Sequence, residues 1–210
     1  MMQPRTLAAA VAVLLGGTVA VLAQDPADNM SFFVTSSNPG SGGDLGGLEG
    51  ADAHCQSLAE AVDAGDKTWR AYLSTSSEDA RDRIGDGPWY NASGEMIAED
   101  VDDLHSDDNN ITAETALNER GESPNYIGGP QPLQHDVLTG TNEDGTASDM
   151  TCNDWTDSSA DSTAMLGHAD RMGRAAGVNS WNAVHASQGC GMEHLTPTGG
   201  AGMYYCFAED

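Results

Sequence analysis

A fold of mixed helix and strand, stapled by disulfides, is what this sequence predicts, and three observations predict it. Between Gly42 and Ser74 (GGDLGGLEGADAHCQSLAEAVDAGDKTWRAYLS) a glycine-rich entry runs into a short amphipathic helix and then directly into a strand. The last third closes on an alternating segment, Met203 to Ala208 (MYYCFA). Four cysteines sit in a chain that opens with the pattern of an export signal, and cysteines of exported proteins are oxidised and paired.

That signal is the first element. Met1 to Arg5 carries one positive charge, Thr6 to Leu22 is apolar and uncharged, and Val21-Leu22-Ala23 offers the small residues a signal peptidase reads. The run is short for a membrane span and is broken by Gly16 and Gly17. The expected organisation is a cleaved signal over residues 1–23, a polar lead-in over 24–30 and one domain over 31–210, secreted, periplasmic or held at the cell surface. No second long apolar run follows, so no membrane insertion is expected after cleavage.

Phe32 and Phe33 with Val34 sit in an aromatic and β-branched stretch, Ser31 to Thr35, which reads as a first strand. In the helix that follows, Cys55, Leu58, Ala59 and Val62 recur at i, i+3, i+4 and i+7 and share one buried face, with Gly65 as its stop. Thr68 to Ser74 alternates as a half-buried strand, with Trp69, Ala71 and Leu73 on one side and Arg70 and Tyr72 on the other. Ser76 to Asp79 supplies a cap and acidic first turn for a short helix ending near Ile84, and Gly87 to Asn91 turns into a short strand. From Glu99 to Asp149 the pattern dissolves into Asp, Asn, Gly and Thr. Leu104, Ile111, Leu117, Ile127, Leu133, Val137 and Leu138 are the residues available to pin it to a core. In the closing strand Met203, Tyr205 and Phe207 alternate against Tyr204, Cys206 and Ala208, so Cys206 can face the helix carrying Cys55. Spacing alone leaves three pairings of the four cysteines open.

Charge excludes whole classes of partner. The chain carries a formal charge of −25, and beyond Arg5 only seven Lys and Arg stand against 33 Asp and Glu. Phosphate contacts need a basic patch, so nucleic acid and anionic membrane surfaces are not expected partners.

GDLGGLEGADAHCQ followed by TWRAYLSTS, then TCNDW, then Gly189-Cys190 and MYYCFAED, resembles the endostatin-like branch of the C-type lectin-like fold. The same GGLxGADxxC entry is similar to that of bacterial secreted lectin-like proteins. The resemblance spans about Phe32 to Glu209. It implies an α+β fold of small antiparallel sheets, two helices and long irregular loops, and the pairings Cys55–Cys206 and Cys152–Cys190. Sugar-binding members hold Ca²⁺ through Glu-Pro-Asn and Trp-Asn-Asp elements. Here Glu122-Ser123-Pro124-Asn125 is interrupted by Ser123, and Trp181-Asn182-Ala183 lacks the last carboxylate. The basic heparin-binding surface of endostatin has no counterpart in so acidic a chain.

Three sets of residues carry candidate chemistry. Glu122, Asn125, Asp154, Trp155, Trp181 and Asn182 are the candidate ligand-binding residues, because Trp beside Asn and Asp stacks on and hydrogen-bonds to sugars. Asn142, Asp144 and Asp149 lie in an oxygen-rich turn and are the candidate ligands for Ca²⁺, which takes six to eight hard oxygens. Asp102-Asp103 and Asp107-Asp108 with Asn109-Asn110 form a second oxygen-rich cluster. Histidines 54, 105, 135, 168, 185 and 194 are scattered. His168, His185 and His194 have the opportunity to converge, but their spacing does not force it. No Gly-x-Ser-x-Gly or His-Glu-x-x-His occurs, and paired cysteines are not nucleophiles.

The expected function is therefore a secreted, non-catalytic, lectin-like binding module for a glycan or an extracellular protein. The alternatives are an acidic, Ca²⁺-binding structural or adhesive surface protein without a sugar site and, behind it, a secreted hydrolase.

Overall fold

The computed structural model describes residues 26–172 and 179–210; the expected signal over residues 1–23 lies outside them. The described chain is a mixed α+β fold with two disulfides, Cys55–Cys206 and Cys152–Cys190. Everything is assembled around the last strand. β1 (Phe32–Val34), α1 (Gly47–Glu60), β2 (Trp69–Ala71), β3 (Trp89–Tyr90), β4 (Met96–Ala98), α2 (Val101–Leu104), β5 (Asp136–Leu138), α3 (Cys152–Trp155), β6 (Met165–His168), β7 (His185–Ala186), α4 (Met192–Leu195) and β8 (Gly200–Ala208) follow in order.

β8 pairs antiparallel with β1 along one edge. Its other edge is shared by β2, antiparallel, and β5, parallel. Beyond β5 the sheet continues through β6 and β7, so its path is β1-β8-β5-β6-β7 with β2 attached to β8. β3 and β4 form a separate hairpin. The sheets are small, as expected, but two points of the expectation are corrected: among the described residues the six-stranded sheet contains one parallel pair, β5 with β8, and there are four α-helices instead of two, three of them only four residues long.

β8 separates two apolar clusters. Tyr204, Cys206 and Ala208 face a core with α1, Trp69, Trp155 and both disulfides, whereas Met203, Tyr205 and Phe207 face one with Phe32, Tyr72, Trp89, Ile97 and Trp181. The period-2 alternation of MYYCFA thus sends each set to its own core. The same fact corrects the half-buried reading of Thr68 to Ser74: Tyr72 is fully buried, in the second core, because that side of the sheet is covered too.

α1 buries Cys55, Leu58 and Ala59 of the predicted face and adds Ala51, whereas Val62 falls past the helix end and is half-buried. It ends at Glu60, before Gly65, and the left-handed residue past its end is Asp63 at φ 60° rather than that glycine. The helix is locked to β2 by Asp52, whose carboxylate accepts from the Ala71 N–H at 2.8 Å and from Arg83 at 2.7 and 2.9 Å, while Arg70 adds a 3.2 Å contact. Within the acidic stretch Leu104, Ile111, Leu117, Val137 and Leu138 are buried, and Ile127 and Leu133 are half-buried.

Candidate metal centre

Three adjacent strands at one end of the main sheet bring four polar side chains together. Asp136 opens β5 and stands directly opposite His168 at the end of β6. His185 opens β7 opposite Leu166, two residues before His168, so both histidines project from the same face of the sheet. His135 precedes the strand, and its ring lies 4.5 Å from that of His168, centroid to centroid. Gly199 makes room for it, since a Cβ there would come within 2.7 Å of the His135 ring.

The ring nitrogens converge on the carboxylate. His135 Nε2 and His168 Nε2 lie 3.2 and 3.3 Å from Asp136 Oδ1, and His185 Nε2 lies 3.8 Å from Oδ2 and 3.3 Å from His168 Nε2. The ligand atoms of His135, Asp136 and His168 all fall within 4.8 Å of one another. Yet neither oxygen of Asp136 has a hydrogen-bond partner among the described residues, although its side chain is fully buried. The nitrogens are close to the carboxylate but not aligned to donate to it. His168 Nδ1 also lacks a partner among the described residues.

The far sides of two rings explain the alignment. His135 Nδ1 is 3.3 Å from Asp170 Oδ1, and His185 Nδ1 is 3.1 Å from the Ala186 carbonyl oxygen. A carbonyl or carboxylate only accepts, so Nδ1 carries the hydrogen in each ring. In the neutral ring Nε2 then presents its lone pair to the centre. Outer hydrogen bonds of this kind orient metal-ligating histidines. Asp170 is itself held by the backbone N–H groups of Ile127 and Met172, both at 3.0 Å. Burial pushes its acidity one way, but the hydrogen bonds from His135 and from that backbone prevail and hold the Asp170 carboxyl below its ordinary range. Burial likewise disfavours a charged His135, but the Asp170 hydrogen bond and the Asp136 and Asp170 charges outweigh it and raise its pKa. The pocket favours positive charge.

A tetrahedral ion with bonds of about 2.0–2.1 Å separates its ligand atoms by roughly 3.3 Å, the separation seen here between nitrogen and oxygen. Imidazole nitrogens with one carboxylate suit zinc and its neighbours in the first transition row, whereas Ca²⁺ asks for oxygens alone.

The residues singled out from the sequence are distributed differently. Glu122 and Asn125 line one cleft of about 350 Å³ with Ser36, Asn118, Arg120 and Gln134. Trp181 and Asn182 line another of about 410 Å³ with His105, Asp107, Glu143 and Arg171. Both tryptophans are buried: Trp155 Nε1 donates to the Ser74 carbonyl at 2.7 Å, and Trp181 packs between Tyr72 and Tyr205. Asp154 accepts from the Ser76 N–H and hydroxyl at 2.8 and 2.6 Å. Asn142 and Asp144 close their own turn through Thr146, and Asp149 is exposed. His168 and His185 do meet, but His194 stays beside Glu193, and His135 and Asp136 take part unforeseen. The available signal was that two histidines each have an aspartate one or two positions on, His135-Asp136 and His168-Ala169-Asp170.

No known family model matches the chain, and no curated protein is similar to it.

Proposed function

We propose that this chain is an exported, disulfide-stapled, non-catalytic binding protein whose centre takes a divalent transition metal of the zinc class through His135, Asp136 and His168. The carrying observation is the Asp136 carboxylate, buried without a hydrogen-bond donor among the described residues and faced by imidazole nitrogens. A carboxylate taken out of water with nothing to balance it costs several kcal/mol. A cation at the point where the nitrogens converge offsets that cost. Export is supported by the two disulfides, which form and persist in oxidising compartments. Among the described residues no helix is long and apolar enough to cross a membrane.

The test is calorimetric titration of chelator-treated protein with Zn²⁺. One ion per chain is expected, with affinity lost on Asp136→Asn. Zinc in hundredfold excess over Kd should also stabilise the fold by about 2.7 kcal/mol. No binding heat together with an unchanged melting temperature would sink the proposal.

A second reading has an observation of its own. Glu122 and Asn125 share a cleft with three further amide or guanidinium side chains, a lining suited to the hydroxyls of a glycan. The C-type lectin-like assignment belongs to this reading, supported by a bridge from the helix to the last strand and by long irregular connections. Glycan-array binding with and without chelator tests it; no signal in either condition removes it.

A further inference from the structure

We infer that His185 is the fourth, exchangeable ligand of this centre, so that the shell closes around the ion and the site captures metal instead of activating water. The inference rests on the metal reading of His135, Asp136 and His168. Three protein ligands leave a fourth vertex. A water there makes a site of the hydrolytic kind, and a protein atom there makes a closed one.

Three features place His185 at that vertex. Its Nδ1 donates to the Ala186 carbonyl, so the lone pair of neutral Nε2 points inward. That Nε2 is 3.3 Å from His168 Nε2, one edge of the tetrahedron, and 3.8 Å from Asp136 Oδ2; it stands outside the three ligand atoms that lie within 4.8 Å of one another, so the ring swings inward to complete the shell. Finally, the ligands differ in access. The side chains of His135 and His168 are 7% exposed and that of Asp136 is fully buried, whereas His185 is 38% exposed. β7 is a two-residue strand at the sheet edge, paired among the described residues with β6 alone. An ion from solvent reaches His185 first and leaves past it last.

Four protein ligands also fix the chemistry. With no vertex open there is no bound water to deprotonate and no position for a substrate oxygen. The ligand of this site is the ion itself, a divalent cation that prefers nitrogen donors. Exchange with solvent then depends on one half-exposed imidazole leaving the shell.

Co²⁺ serves as the probe, because its visible bands are intense in four-coordinate sites and weak in five- and six-coordinate ones. Wild-type protein should bind one Co²⁺ with intense bands that azide does not alter, and Zn²⁺ should displace it. His185→Ala should still bind Co²⁺, with affinity reduced on the order of 100-fold. Its bands should weaken, become azide-sensitive, and recover with free imidazole, while a chelator should strip the ion faster. His185→Gln should behave likewise, and far-UV circular dichroism of both metal-free variants should match wild type. If His185→Ala keeps wild-type affinity and spectrum, or if wild-type bands are weak and azide-sensitive, the inference falls and the three-ligand reading stands. If wild type binds no Co²⁺, or binds it equally well after Asp136→Asn, that reading falls and takes the inference with it.

Discussion

Asp136 and His105 are both polar side chains held inside this protein, but they are handled in opposite ways. Asp136 lacks donors among the described residues, and nitrogens surround it. His105 is fully provided for. Its Nδ1 donates to the Val101 carbonyl at 2.7 Å, so Nε2 accepts from the Tyr72 hydroxyl at 2.7 Å, and Asn182 donates to that hydroxyl in turn. This chain of bonds needs a neutral ring. Burial lowers the pKa of His105 below its ordinary value; the Val101 hydrogen bond opposes this, the Arg81 charge adds to it, and the Asp144 and Asp102 charges oppose it more weakly. The unfolded chain therefore binds a proton that the folded one refuses. Stability contributed by His105 is present above about pH 6.5 and is lost as pH falls toward the lower folded value. In His105→Gln, urea unfolding followed between pH 7 and 5 should show a shallower loss of stability than wild type; equal slopes would reject the assignment. Little of this scale was legible in the sequence. Which histidine meets which aspartate depends on the register of β5 against β6, and register lies in the tertiary structure, not in the spacing of residues.

At the scale of elements, α1 and β8 were readable because each is long enough to show a period: 3.6 in Cys55, Leu58 and Ala59, and two in MYYCFA. β5 was not. It has three residues, all buried, in the middle of a stretch of Asp, Asn and Gly, and a short strand covered on both faces has no alternation to display. Such pieces are held by joints, and the joint at Asp52 is the most concentrated. Arg83, whose side chain is 7% exposed, is neutralised there and by Glu78, while the same carboxylate caps the Ala71 N–H. Asp52→Ala removes a mostly buried partner and leaves Arg83 short of charge, so a loss of about 3 kcal/mol is expected by chemical denaturation. A cost under about 1 kcal/mol, the range of exposed pairs, would show that solvent screens the joint.

At the scale of the whole molecule, staples and charge oppose one another. The bridge from Cys55 to Cys206 spans 151 residues and that from Cys152 to Cys190 spans 38. In the chain-entropy model these loops correspond to about 5 and about 4 kcal/mol of unfolded-state restriction. Against them stands a formal charge of −25, which repels itself in the compact state. Screening over about 10 Å at 0.1 M salt relieves that repulsion. Raising NaCl from about 10 mM to about 0.5 M should therefore raise the melting temperature, by about 2–4 °C for each kcal/mol gained. KCl should do the same; a flat or falling curve would mean the charge is already balanced locally.

The position of β8 has a consequence for how the molecule is made. Its partners β1, β2 and β5 all precede it, and β8 is the strand to which each is hydrogen-bonded. While the chain emerges, those strands have no common template, and Cys55 waits as a free thiol for a partner 151 residues behind it. The main sheet and the longer bridge therefore form only after β8 has appeared. A chain arranged this way closes late: its central strand and the oxidation that seals Cys55 to Cys206 come together at the last step of folding.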